Sequence, residues 1–247
     1  MNPLKSIAGT IISGIVLAVI LAVVTKGSHM VINPEQSVIL WLHVLAGITW
    51  IGLLYYFNFV QGEYFKEADG GAKGDVIQKL VPRTLWWFRW GAMFTFLSGA
   101  LLIYFKHLSG MGIMIGAVLG TIMFLNVWLI IWPNQKIVIA SAKQVGAGGD
   151  ALPEAAGALG KAGLASRTNT LFSIPMLFFM ASSVHLGQLQ TSVHSSGLAS
   201  LIVVYGLIAV LALNGIFGKT GPFTSVKGVI GSGFLLTAIL YILVEIT

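Results

Sequence analysis

The 247-residue sequence has no cysteine, and charged residues make up only 9% of it. The first absence excludes disulfides, thiolate zinc sites, iron–sulfur ligation and covalent c-type haem attachment, which leaves histidine as the strong metal ligand. The second, with a hydrophobic fraction of 56% and a mean hydropathy of +0.90, leaves too little polar surface for a soluble domain of this length, so the solvent is lipid. Also missing are a phosphate-binding G-x-x-x-x-G-K-[ST] loop, an H-E-x-x-H zinc motif, an arguable Ser-His-Asp arrangement and the paired intramembrane carboxylates of a proton pump. The net charge of +6 is dispersed over membrane-flanking segments rather than gathered in a stripe with stacking aromatics, which argues against nucleic acid as a partner.

What is present is a series of apolar runs. A hydrocarbon core of about 30 Å needs about 20 apolar residues per helix, and seven stretches meet that need, near 6–25, 37–60, 84–105, 110–132, 168–188, 197–217 and 226–246. No A-x-A cleavage site follows the first, which is read as a retained helix rather than a signal peptide. The expected architecture is an all-α integral membrane protein, a seven-helix transmembrane bundle forming a single domain over 1–247. Seven spans put twelve of the fourteen basic residues on the side of the N-terminus and leave only Lys26 and Lys106 on the other. The positive-inside rule then makes the N-terminus cytoplasmic and the C-terminus periplasmic, in a bacterial inner membrane. Two longer cytoplasmic segments, 61–83 and 134–166, are expected as loops. The first reads as a helical extension with a turn at Gly70-Gly71, and the second begins helically and passes into Gly/Ala-rich chain.

All five histidines fall in the outer half of this topology: His29 and His194 in loops, His107 at a helix end, and His43 and His185 inside the second and fifth spans at similar depth. An ionisable group in a span is a functional candidate because burying it alone is costly. Ala46 and Gly47 stand beside His43 on its helical face, as Ala181 and Ser182 do beside His185. Small neighbours leave room for a flat macrocycle, and two imidazoles from facing helices hold a b-type haem iron or another metal without cysteine. The plainer alternative is interhelical hydrogen bonding between closely packed helices. His107 is the further ligand candidate; His29 and His194 read as solvated interfacial residues.

The cytoplasmic half holds another polar group: Asn58, Glu63, Arg89, Asn126, Gln135, Arg167 and Asn169. Trp86, Trp87, Phe88 and Trp90 read as an interfacial belt, and Arg89 is expected either to snorkel or to pair with Glu63. Arg89, Asn126, Gln135, Arg167 and Asn169, converging from the third, fourth and fifth helices, would form a hydrogen-bonding pocket for a flat polar anion. Pro175 frees a backbone carbonyl ten residues before His185, a weak sign of a cavity.

Four segments carry a family resemblance: Trp41-Leu42-His43-Val44-Leu45-Ala46-Gly47-Ile48-Thr49-Trp50-Ile51-Gly52; Trp87-Phe88-Arg89-Trp90 with Leu97-Ser98-Gly99; Asn126-Val127-Trp128 through Lys136; and Arg167-Thr168-Asn169-Thr170. Together they resemble the N-terminal membrane domain of the membrane-bound urate oxidase (urate hydroxylase) family. The resemblance implies a helical domain that oxidises urate to 5-hydroxyisourate and passes electrons to the respiratory chain, with His43 and His185 matching histidines of the family pattern. Longer members carry a C-terminal cytochrome c, whereas no Cys-x-x-Cys-His follows here, so a separate cytochrome c or respiratory complex is the expected acceptor. The leading expectation is a b-haem redox protein, in the bilayer alone or within a larger assembly. The rivals are a cofactor-free structural or assembly subunit of a membrane complex and a transporter of a small polar solute.

Overall fold

In the computed structural model, residues 6–25 and 34–246 are described, and among them the chain is helical almost throughout. The long helices are α1 (Ile7–Thr25), α2 (Glu35–Glu67), α3 (Gly70–Lys106) and α4 (Met111–Gly146), α5 (Ala155–Ser182), α6 (Leu198–Phe217) and α7 (Val226–Ile246). Five of them, α2, α3, α4, α6 and α7, are long and apolar enough to cross a membrane. The apolar run of α1 is shorter, Ile7–Leu21. α5 is long but carries Arg167, Thr168, Asn169, Thr170 and Ser173 in its middle. All but Arg167 of these are fully buried, because α5 is the central helix, packed by α2, α4, α6 and α7. Its polar face meets protein, so its low hydropathy reflects its place in the bundle.

α2, α3 and α4 have 33, 37 and 36 residues, and at 1.5 Å per residue each is about 50–55 Å long, well beyond the hydrocarbon core. The expected loops 61–83 and 134–166 are therefore largely helix. The first shrinks to a break at Ala68-Asp69, where Asp69 caps α3 by accepting a hydrogen bond from the Ala72 amide at 2.8 Å. Gly70-Gly71, expected as the turn, instead opens α3. In the second, the Gly/Ala-rich chain is helical from Ala155 because Ala158, Ala162 and Ala165 make a buried face at helical spacing, and α5 packs closely on α4.

The core is one cluster around Trp50, Phe88, Phe172 and Phe179, all buried. π-helical turns interrupt α2 at Tyr56–Gln61, α3 at Val76–Leu80 and α4 at Asn126–Ile131. Such turns shift the facing of all later residues and concentrate at functional sites; those in α2 and α4 bury Asn58 and Asn126. On the opposite side of the bundle an isolated antiparallel bridge, Gly110 to Ser192, joins the loops after α3 and α5.

Candidate functional site

The site begins with the extensive α2–α3 contact. Glycines let the two backbones approach: a Cβ at Gly91 would lie 3.2 Å from the Trp50 amide nitrogen, and one at Gly99 would lie 3.0 Å from Cε1 and 3.3 Å from Nδ1 of His43. The half-buried His43 ring rests in that notch. Its Nδ1 is 2.9 Å from the Thr95 carbonyl oxygen and 3.2 Å from Ser98 Oγ. A carbonyl oxygen only accepts, so Nδ1 carries the proton and Nε2 keeps the lone pair. Among the described residues Nε2 has no hydrogen-bond partner. A ring oriented through Nδ1–H to a carbonyl, with Nε2 free, is the arrangement of metal-ligating histidines.

This fits one axial haem ligand. Among the described residues no group of three His, Cys, Asp or Glu side chains comes together for a metal held by protein alone. A porphyrin brings four nitrogens of its own and asks the chain only for axial ligands.

The other histidines are placed differently. The sequence puts His185 inside the fifth span, but α5 ends at Ser182 and His185 is exposed in the turn that follows. Ser183 donates from Oγ to the Met180 carbonyl, and the His185 amide donates to the Ser182 carbonyl, closing the helix there. His107 is the exposed left-handed C-cap of α3, with φ of 49°. The Leu108 amide donates to the Ile103 carbonyl at 3.1 Å, giving that residue a helix-terminating role. His194 is exposed in the short turn before α6, and His29 lies outside the described residues.

On the basic side, the pocket candidates fall into separate contacts. Asn126 donates from Nδ2 to Asn169 Oδ1 at 2.8 Å, and Asn169 donates to the Met123 carbonyl at 2.9 Å, so these two are joined and buried. Gln135 is half-buried on α4 one turn beyond Ile131. Arg167 keeps Nη1 buried without a partner and feels the charge of Glu63. Arg89 belongs to the α3–α4 contact, its guanidinium 3.8 Å from the centre of the Trp132 ring and 6.0 Å from that of Trp128. It does not pair with Glu63, whose carboxylate is taken by Lys66 at 2.8 Å, and among the described residues it makes no hydrogen bond to the other four candidates.

Several interhelical polar contacts escaped sequence reasoning. Asn58 donates to Ser166 Oγ at 2.8 Å, and Tyr55 and Ser173 share a hydroxyl–hydroxyl bond of 2.9 Å, so α2 and α5 meet along a polar seam. The spacing of Ser166, Thr170 and Ser173, one helical face, was the available signal. Thr95, Ser98 and Gly99 as the seat of His43 left only the Leu-Ser-Gly motif as a hint.

These features define a multi-pass helical membrane protein that presents an oriented imidazole at one level and a buried amide and hydroxyl seam at another. Residues 104–220, just under half of the chain, match the family described as urate oxidase N-terminal, and over this segment the chain is similar to it. The match takes in Asn126, Gln135, Arg167, Asn169 and His185; the helix carrying His43 precedes it. No curated protein and no solved structure matches the chain.

Proposed function

We propose that this chain is a b-haem-binding membrane redox protein of the urate oxidase type, with His43 as an axial ligand through Nε2. The observation that carries the reading is the His43 seat: a ring held by the Thr95 carbonyl and the Gly99 notch, with its second nitrogen left free. His185 is the second-ligand candidate. The Tyr55–Ser173 bond sets a common level for α2 and α5. His43 precedes Tyr55 by twelve residues, about 18 Å along α2, and Ser182, the last residue of α5, follows Ser173 by nine, about 14 Å, with His185 in the turn just beyond. A bound haem supplies a carrier that takes one electron at a time.

Urate plus water gives 5-hydroxyisourate, two electrons and two protons. Arg167, with an unpartnered N–H, is suited to hold the anionic form, while Asn126, Asn169 and Gln135 supply amides for hydrogen bonds to a flat polar ring. Electrons leave to a cytochrome c on the far side. In this reading α1 and α5 also cross the bilayer, which makes seven spans, with the N-terminus in the cytoplasm, the C-terminus in the periplasm and the inner membrane as the location.

Anaerobic addition of urate to purified protein tests the enzyme: the haem band should shift to its reduced form, and 5-hydroxyisourate should appear. A haem band untouched by urate would remove the substrate while leaving the cofactor. The Nδ1–Thr95 bond is also all that a cofactor-free packing role needs, so a colourless preparation from haem-replete cells would favour that reading.

A further inference from the structure

Among the described residues six buried side-chain atoms have no hydrogen-bond partner, and five of these are N–H donors: Trp50 Nε1, Arg89 Nε and Nη1, Trp128 Nε1 and Arg167 Nη1, against one acceptor, Gln61 Oε1. Buried donors left unpaired are costly, and so large an excess of donors asks for an acceptor from outside the chain. Three of the five sit at one corner, where the Arg89 guanidinium lies 6.0 Å from the Trp128 ring centre and is stacked on Trp132. Among the described residues no carboxylate serves this corner, since the ion pairs are Lys66 with Glu63 and Lys79 with Asp75.

The depth and surroundings identify the acceptor. Arg89 is half-buried and adjoins the exposed Trp86 and Trp87, which mark the level of lipid headgroups. Leu125 and Leu129, three residues before Trp128 and Trp132 and so deeper in the bilayer, are exposed and apolar. We propose that the α3–α4 corner of Arg89, Trp128 and Trp132 binds the phosphate of an anionic phospholipid, with its acyl chains along Leu125 and Leu129. The guanidinium fork and the indole N–H donate to phosphate oxygens, and the Trp132 ring holds the guanidinium in plane. Arg89 then serves the bilayer rather than the substrate pocket, and the site stands or falls independently of haem.

Native mass spectrometry of the purified full-length chain, with phosphatidylglycerol, phosphatidylcholine or inorganic phosphate added, tests this. Wild-type protein should retain phosphatidylglycerol over phosphatidylcholine. Arg89→Gln should retain about tenfold less, and Trp128→Phe, which keeps a ring but loses the N–H, several-fold less. Arg83→Gln, which removes an exposed arginine of the same helix, should retain the wild-type amount. Should Arg89→Gln fail to elute as folded protein, Trp128→Phe decides. Equal retention in the decisive variant, or an equal loss in Arg83→Gln, overturns the site. So does a rise in unfolding temperature with inorganic phosphate or urate that matches the rise with lipid, which would make this a small-anion site.

Discussion

Replacing Gly99 by alanine sets two calculable effects against each other. In a helix interior alanine is favoured over glycine by about 0.5–1 kcal/mol. The new methyl, however, would meet Cε1 of His43 at 3.0 Å and Nδ1 at 3.3 Å, several tenths of an ångström too close. The ring cannot recede without stretching the 2.9 Å bond from Nδ1 to the Thr95 carbonyl. Overpacking costs about 1–3 kcal/mol, and a weakened hydrogen bond adds about 0.5–1.5 kcal/mol. The clash therefore wins, and Gly99→Ala should be destabilised by about 0.5–4 kcal/mol, the sum of those terms less the gain in helix propensity. Gly52→Ala and Gly120→Ala are the controls, since a Cβ there meets nothing within 4 Å; both should be neutral or slightly stabilised. Unfolding in detergent, followed by tryptophan fluorescence, measures all three. A Gly99→Ala protein as stable as the controls would show that the imidazole does not occupy this notch, and the ligand argument would lose its base.

Other outcomes follow from the same contacts. Asn169→Ala should destabilise by about 2–4 kcal/mol in the same assay, because it leaves Asn126 Nδ2 and the Met123 carbonyl buried without their partner and opens a small cavity; a loss below about 0.5 kcal/mol would mean that the pair is hydrated. A double-mutant cycle of Tyr55→Phe and Ser173→Ala should give a coupling of about 0.5–1.5 kcal/mol, and zero coupling would deny the α2–α5 contact at that level. Asp69→Ala should cost about 1 kcal/mol through loss of the α3 cap, with faster amide exchange at Ala72 as its local signature.

Five of the seven apolar runs were legible as helices long and apolar enough to cross a membrane, because lipid imposes a minimum length and a single polarity. What lay outside the membrane was less legible. Lys66, Glu67 and Lys79 carry the charge of a loop yet sit in continuous helices, since charge sets depth and does not break helices. Asp69 was the better boundary signal than Gly70-Gly71, through the physics of capping rather than of glycine flexibility. The π-helical turns left no periodic trace, and so the facing of Asn58 and Asn126 could not be read ahead. His43 was singled out by type and expected depth. Its seat was not, because Thr95 contributes a backbone carbonyl and Gly99 contributes the lack of a side chain. His185 was misplaced by one turn: an apolar run that continues through Leu186 hides a helix end made by two serines.

The account rests on Nε2 of His43 binding iron. The direct measurement is the visible spectrum of wild-type protein and His43→Ala, purified from haem-replete cells at matched folded yield. A Soret band in the wild type that disappears or changes ligation state in the variant is the predicted result. An identical spectrum in both, or no chromophore in either, would contradict it.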